Sequence, residues 1–189
     1  MELIELIDNN RTDKNTTHSY IQTYQELFNK RKEFAKNVLE IGICYGGSIK
    51  LWHDYFTDAN IYGLDIMHID QVWHEIQDTD RIILYTSTDA YNYDFFKTSF
   101  LDKNISFDIL IDDGPHSLES MIKFINLYTQ VMSDDGILII EDVQDWGWID
   151  ILKQITPEHL KQYIKVYDLR PIKNRYDDII FVIDKTSTD

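Results

Sequence analysis

The sequence predicts an α/β fold: a seven-stranded, mostly parallel sheet with helices on both faces and an antiparallel pair at its end. Three observations predict it. Short apolar runs alternate with helical segments along the 189 residues. The last two apolar runs have no helix between them, so they are expected to pair antiparallel at one edge. A hydrophobic content of 43% fits a globular chain, and the length suffices for one domain with a sizeable core.

The elements follow in order. Residues 1–17 are polar, with a loop expected around Asn9–Asn15. From His18 to Phe34 the spacing of Ile21, Tyr24, Leu27 and Phe28 is helical. Asn37–Gly42 is a short buried strand stopped by glycine, and Gly47–Phe56 a helix. Asn60–Asp65 is a second strand, Ile69–Gln77 a weakly patterned helix, Arg81–Tyr85 a third strand and Tyr91–Phe100 a short helix. Phe107–Asp112 is the fourth strand. A helix over Ser117–Met132 carries Leu118, Met121, Ile122, Ile125, Tyr128 and Met132 on one stripe. Gly136–Glu141 is the fifth strand, and a helix follows near Trp148–Ile155. Strands at Tyr163–Asp168 and Asp178–Ile183 close the sheet, joined by turn chemistry at Arg170-Pro171 and Asn174-Arg175. No repeat, linker or low-complexity stretch interrupts the series, so one domain over 1–189 is expected, with residues 1–35 a helical segment over the site.

The formal net charge of −15 disfavours nucleic acid as a partner, because phosphate binding relies on Lys and Arg patches. The single cysteine, Cys44, allows no internal disulfide and fits a reducing, cytoplasmic compartment. No apolar run reaches membrane-spanning length and no signal peptide opens the chain, so no membrane partner is expected. Monomer and homo-oligomer are both compatible with the sequence.

Two strand ends carry the chemistry. One reads Asp112-Asp113-Gly114-Pro115-His116; the other, one helix later, Glu141-Asp142. The spacing is that of one β-α-β unit, which sets both ends at the carboxyl edge, where open parallel sheets bind ligands. Crowded carboxylates repel unless something positive joins them, and oxygen donors suit Mg²⁺ or another hard divalent cation. Asp-Asp-Gly-Pro is also ordinary turn chemistry, and His116 could make only a local hydrogen bond; the matching pair Glu141-Asp142 favours the functional reading.

The first strand ends Glu40-Ile41-Gly42-Ile43-Cys44-Tyr45-Gly46-Gly47-Ser48. A glycine-rich turn between strand and helix lets a ligand approach the backbone closely. Cys44 stands where a dinucleotide turn would need its second glycine, and its side chain would crowd a pyrophosphate. The next strand ends in Asp65, placed for ribose hydroxyls. The pattern implies an adenosine-type ligand without pyrophosphate.

These motifs resemble the S-adenosylmethionine site of the Rossmann-like class I methyltransferases. The resemblance covers about residues 36–184 and extends to the terminal antiparallel pair. It implies cofactor contacts at Glu40, Gly42, Tyr45, Gly46 and Ser48 on the glycine turn and at Asp65 on the ribose. Ser87 and Asp89, after the third strand, would flank the adenine, and Asp112 would face the amino group. A narrower resemblance, carried by Asp112–His116 and Glu141-Asp142, is to the metal-dependent sugar O-methyltransferases of macrolide and related glycoside pathways. It implies metal ligands at Asp113, Glu141 and Asp142 and a general base at His116. Thr12-Asp13-Lys14-Asn15, His18-Ser19-Tyr20 and Tyr24 are also similar to that group's N-terminal region. Pro115 departs from the serine usual there.

The chemistry expected is methyl transfer from S-adenosylmethionine to a sugar hydroxyl of a glycan or glycoside. Such a hydroxyl needs activation, which a divalent cation and a histidine supply. Two other readings stand beside it: an O-methyltransferase for a catechol or other small phenol, and a non-catalytic module that binds the cofactor. Trp146 and Trp148 either stack on a sugar or pack a lid. His53, His68, His74 and His159 read as surface or core residues, and Tyr20 and Tyr24 as core.

Overall fold

The computed structural model describes residues 1–186. Its elements, in order, are α1 (Leu3–Leu6), α2 (Ile21–Phe28), β1 (Asn37–Ile41), α3 (Gly47–Tyr55), β2 (Asn60–Leu64), α4 (His74–Gln77), β3 (Ile82–Tyr85), α5 (Tyr93–Phe96), β4 (Phe107–Asp112), α6 (Leu118–Tyr128), β5 (Met132–Ile140), α7 (Trp148–Ile155), β6 (Ile164–Asp168), α8 (Arg170–Lys173) and β7 (Ile179–Asp184). The strands form one sheet in the order β3-β2-β1-β4-β5-β7-β6. β1 to β5 run parallel, and β7 lies antiparallel between β5 and β6. The expected antiparallel pair is therefore present, with the last strand inserted inside the edge.

Side chains on a strand alternate between its faces, and here both faces are covered. On one face Val38, Ile109, Ile111, Ile137 and Ile139 pack against Tyr24, Phe28, Trp52 and Phe56 of α2, α3 and the turn after α3. On the other, Leu39, Leu110, Leu138, Ile140 and Phe181 pack against Phe96, Phe124, Ile125, Tyr128 and Leu152. Burial on two faces is why β4, β5 and β7 read as continuous apolar runs rather than alternating ones. α6 starts at Ser117, whose hydroxyl accepts from the Ser120 backbone N–H. Its apolar stripe, including Phe124, closes the second core. Truncation of Phe124, which is fully buried, to alanine should cost about 3–5 kcal/mol.

Several expected elements are shorter or broken. The helix expected over His18–Phe34 spans only Ile21–Phe28, because residues 13–20 form turns that carry side chains to the strand ends. Ile69–Gln77 splits into a 3₁₀ turn at Ile69–Gln71 and α4. Within the segment read as a turn, α8 forms with proline in its first turn. No helix among the described residues is long and apolar enough to cross a membrane.

The strand order fixes where ligands can bind. From β1 the chain winds outward to β3, then returns to place β4 on the other side of β1. The loops after β1 and β4 diverge at that point and leave a crevice at the carboxyl edge.

Candidate functional site

The crevice begins at the glycine turn. Gly42 sits at φ +82°, and a Cβ there would lie 1.9 Å from the Asp113 carbonyl oxygen. Only glycine lets the turn after β1 pass this close to the end of β4. Gly46 caps α3 at φ +92°. A Cβ on Gly47 would lie 2.0 Å from the Arg11 carbonyl oxygen, so the N-terminal loop packs directly on the start of α3. Cys44 takes φ +50°, and its N–H donates to Asp65 Oδ2 at 2.8 Å. Asp65 Oδ1 accepts from the Met67 N–H at 2.9 Å. Asp65 thus ties the turn after β1 to the turn after β2.

Two clefts meet here, sharing Gly42, Cys44 and Asp113. One, of about 420 Å³, is lined by Asp65, Met67, Thr88, Asp89, Ala90 and Tyr91. The other, of about 440 Å³, is lined by Arg11, Thr12, Ser48, His116 and Asp142. The first has the apolar walls and carboxylate of a nucleoside cleft; the second holds ionisable groups.

The acidic centre forms where β4 and β5 end in register. Asp112 pairs with Ile140, and the Glu141 N–H donates to the Asp112 carbonyl at 3.0 Å. This register sets Asp113 beside Glu141 and Asp142. Asp142 and His116 both hold positive φ, at 52° and 51°, a conformation that side chains other than glycine take at some cost. The His116 Nε2 lies 3.5 Å from Asp142 Oδ2 and 3.8 Å from Asp113 Oδ1. Among the described residues three groups have ligand atoms within 4.8 Å of one another: Asp113, His116 and Asp142; Glu40, Asp113 and Glu141; and, beside this centre, His18, Asp177 and Asp178.

The N-terminal strap reaches into this centre with four side chains. Lys14 Nζ donates to Asp113 Oδ2 at 2.7 Å and to Glu141 Oε1 and Oε2 at 2.7 and 2.8 Å. The Tyr24 hydroxyl donates to Glu141, and the Tyr20 hydroxyl to Asp142. His18 Nδ1 lies 2.7 Å from Asp178 Oδ1 and 3.3 Å from Asp142 Oδ1.

Burial and mutual repulsion set the proton affinities. Burial, with the charge of Asp113, holds the Glu141 and Asp142 carboxyls above their ordinary range; Lys14 partly offsets this at Glu141 and Tyr20 at Asp142. Burial raises Glu40, and Lys14 opposes it. Burial pushes Asp112 up to about 7, against the pull of its bond from Tyr91. For Lys14, burial alone would lower the pKa, but Asp113, Glu141 and Glu40 hold it well above the usual lysine value. The ammonium therefore stays charged. Burial and the neighbouring carboxylates raise Tyr20 and Tyr24 as well, so both remain phenols able to donate.

The structure brings Gly42, Ser48, Asp65, Asp89, Asp113, His116 and Asp142 to the walls of the two clefts. Glu40 lies beneath the turn, accepting from Ser48 Oγ at 2.6 Å and Trp52 Nε1 at 3.1 Å. Asp112 is buried and accepts from the Tyr91 hydroxyl at 2.5 Å. Glu141 is buried behind Asp113, held by Lys14 and Tyr24. Tyr45 is exposed, and Ser87, at φ +52°, lies outside the cleft linings. Trp146 is half exposed under the guanidinium of Arg170, 5.1 Å from its ring. Tyr20 and Tyr24 are core residues, as expected, but their hydroxyls serve the acidic centre. Lys14 and His18 were absent from the sequence-based site. The only signal for them was the similarity of residues 12–24 to the N-terminal region of the sugar enzymes.

The neighbours of this architecture decide its class. It superposes on the MycE methyltransferase from the mycinamycin biosynthetic pathway, in complex with Mg and SAH, with a TM-score of 0.75. That match has 24% identity over 97% of this chain and 54% of the other. The chain has the class I methyltransferase fold. A putative SAM-dependent methyltransferase from Streptococcus mutans shares this methyltransferase fold, with a TM-score of 0.62 and 17% identity, over 87% and 48% of the two chains. By sequence, the chain is 30% identical over 156 residues to mycinamicin VI 2''-O-methyltransferase of Micromonospora griseorubida, covering 75% of this chain and 35% of that one. It is 27% identical over 144 residues to 8-demethyl-8-alpha-L-rhamnosyl tetracenomycin-C 2'-O-methyltransferase of Streptomyces olivaceus, covering 72% and 36%. The chain thus spans about a third of the length of these curated relatives. No family model matches it.

Proposed function

We propose that the chain is an S-adenosylmethionine-dependent, divalent-metal-dependent O-methyltransferase acting on a sugar hydroxyl of a glycan or glycoside. One observation carries the reading. A nucleoside-sized cleft with Asp65 and Asp89 on its wall opens, at Gly42 and Asp113, into a second cleft that presents three carboxylates, Asp13, Asp113 and Asp142, and a histidine. The sequence relatives named as O-methyltransferases of rhamnosyl tetracenomycin-C and of mycinamicin VI favour the sugar as acceptor rather than a catechol.

The residues fit the cofactor. The Gly42 turn leaves no room for a Cβ, and Asp65 stands fixed by two backbone N–H bonds beside the cleft. S-adenosylmethionine would supply the methyl group as an electrophilic sulfonium. The turn from Glu40 to Ser48 would carry its methionine part, with Gly46 and Tyr45 shaping that turn. Asp65 would hold the ribose, Ser87 and Asp89 would flank the adenine, and Asp112 would stand toward the amino group.

The residues also fit a cation. Asp113, Glu141 and Asp142 are hard oxygen donors at one edge, and Asp113 belongs both to the group with Asp142 and to the group with Glu141 whose ligand atoms lie within 4.8 Å of one another. These three carboxylates would hold a hard divalent ion such as Mg²⁺. Such an ion, when bound, lowers the pKa of a hydroxyl and fixes its direction. His116, lining the cleft, would accept the hydroxyl proton at Nε2. Asp142 and Asp113 would stabilise the resulting imidazolium from 3.5 and 3.8 Å. Arg11, Thr12 and Thr16 wall the same cleft and would exclude water from the transfer.

The test is a panel of glycosides, sugar nucleotides and catechols incubated with the protein, S-adenosylmethionine and Mg²⁺ and read by mass spectrometry. Gain of a methyl group on sugar acceptors, abolished by chelation, is expected. Methylation of catechols alone, or undiminished activity after exhaustive chelation, would overturn the reading.

A further inference from the structure

The inner side of the acidic centre already holds a cation, and the chain itself supplies it. Glu40, Asp113 and Glu141 are one of the groups spaced for a metal ion, and Lys14 Nζ sits among them. It lies 2.7 Å from Asp113, 2.7 Å from Glu141 and 3.3 Å from the otherwise unbonded Glu40 Oε1. The lysine side chain is 1% exposed, so water does not screen these contacts. The outer group, Asp113, His116 and Asp142, opens on the cleft. Asp113 belongs to both groups: Oδ2 accepts from Lys14, and Oδ1 lies toward His116.

We propose that Lys14 is a tethered cation that competes with the divalent ion for Glu141 and Asp113, and so sets how tightly the acidic centre binds that ion. The inference rests on the metal-dependent reading above. Both of Glu141's oxygens are engaged by the ammonium. An incoming ion must therefore share that carboxylate with a like charge or displace Nζ from it. In exchange, Lys14 keeps the carboxylates together in the metal-free chain, where their repulsion would otherwise push them apart. Lys14 acts through the carboxylates and touches neither cleft, which makes it a positioning residue.

The probe is Mn²⁺ alone. Binding to the wild type and to Lys14→Met is measured at about pH 8 by calorimetry and by the electron paramagnetic resonance of free Mn²⁺. Methionine keeps the length of the side chain and removes its charge. Lys14→Met should bind Mn²⁺ at least about tenfold more tightly, or take up a second ion. Equal or weaker binding by the folded variant, with no second ion taken up, overturns the proposal. Absence of Mn²⁺ binding by the wild type overturns the metal-dependent reading and this inference together. A second measurement needs no neutral variant to fold. In wild-type protein labelled with ¹³Cε-lysine, the Lys14 resonance is assigned as the one missing from Lys14→Arg. Under the proposal it shifts on Mg²⁺ addition, with the same half-saturation as the calorimetric binding. A Lys14 resonance that stays fixed while Mg²⁺ binds overturns it.

Discussion

At the β1–β2 end of the carboxyl edge, the site is made of backbone. Gly42 and Gly46 take positive φ, and Asp65 is held by two N–H groups from neighbouring turns. At the β4–β5 end it is made of side chains. Asp113, Glu141 and Asp142 are pinned by Lys14, Tyr24 and Tyr20 from the far N-terminus, across 99 to 127 residues. The first end depends on shape, its Asp65 carboxylate satisfied by backbone N–H groups. The second stores repulsion, so it depends on protons and cations. A ligand that lies across both ends meets a rigid cradle on one side and a charge-controlled one on the other.

That contrast makes separate demands on experiment. The largest effect is expected at His116, where the acidic centre faces the cleft. His116→Ala should lower kcat by roughly 10²–10⁴-fold, the range for a positioned acid–base group, with cofactor affinity little changed. Steady-state kinetics and calorimetry on a verified acceptor check both halves of the statement. A variant within a few-fold of wild type would return His116 to a local structural role.

Next is the pH dependence of stability. Asp112 has its folded pKa raised to about 7 from an ordinary 3.8, so between those values the folded state holds a proton that the unfolded state has released. Stability should therefore fall as pH rises through that window, by roughly 1.4 kcal/mol per pH unit for such a group, and level off above it. Asp112→Asn should show a flatter profile in chemical denaturation from pH 4 to 7. Identical slopes for the two proteins would remove Asp112 from the account.

Mg²⁺ should relieve the repulsion at the β4–β5 end only. At a hundred times its dissociation constant it should stabilise the fold by about 2.7 kcal/mol, seen as a rise in Tm. Asp142→Asn should shrink this shift and Asp65→Ala should leave it intact. Equal loss in both variants would break the division between the two ends. The smallest effect is expected at the backbone end: Asp65→Ala should weaken S-adenosylmethionine binding by about 1–3 kcal/mol, with or without chelator. Calorimetry in both conditions decides this.

The short apolar runs between helical segments made the seven strands legible, because burial on two faces leaves a continuous apolar stretch bounded by turn residues. The glycine turn was legible for a local reason: a positive φ and a close approach at Gly42 leave only one residue type. The carboxyl-ended strands at Asp112-Asp113 and Glu141-Asp142 were legible as neighbours because one β-α-β unit joins them. Helix ends were less so, since the turns at residues 13–20 respond to the acidic centre and not to their own propensity. Lys14 shows the limit most clearly. In the sequence it is a lysine in a polar loop with no periodicity, marked only by the similarity of residues 12–24 to the sugar enzymes' N-terminal region.

The sequence by itself determined the strands, the glycine turn and the presence of clustered carboxylates at the sheet's edge, all properties of near neighbours in the chain. Only the tertiary structure decided which groups neutralise those carboxylates. Burying a charge costs more than any local preference can offset, so its partner is chosen through space. Here the fold brings Lys14, His18, Tyr20 and Tyr24 across the edge of the sheet to meet it.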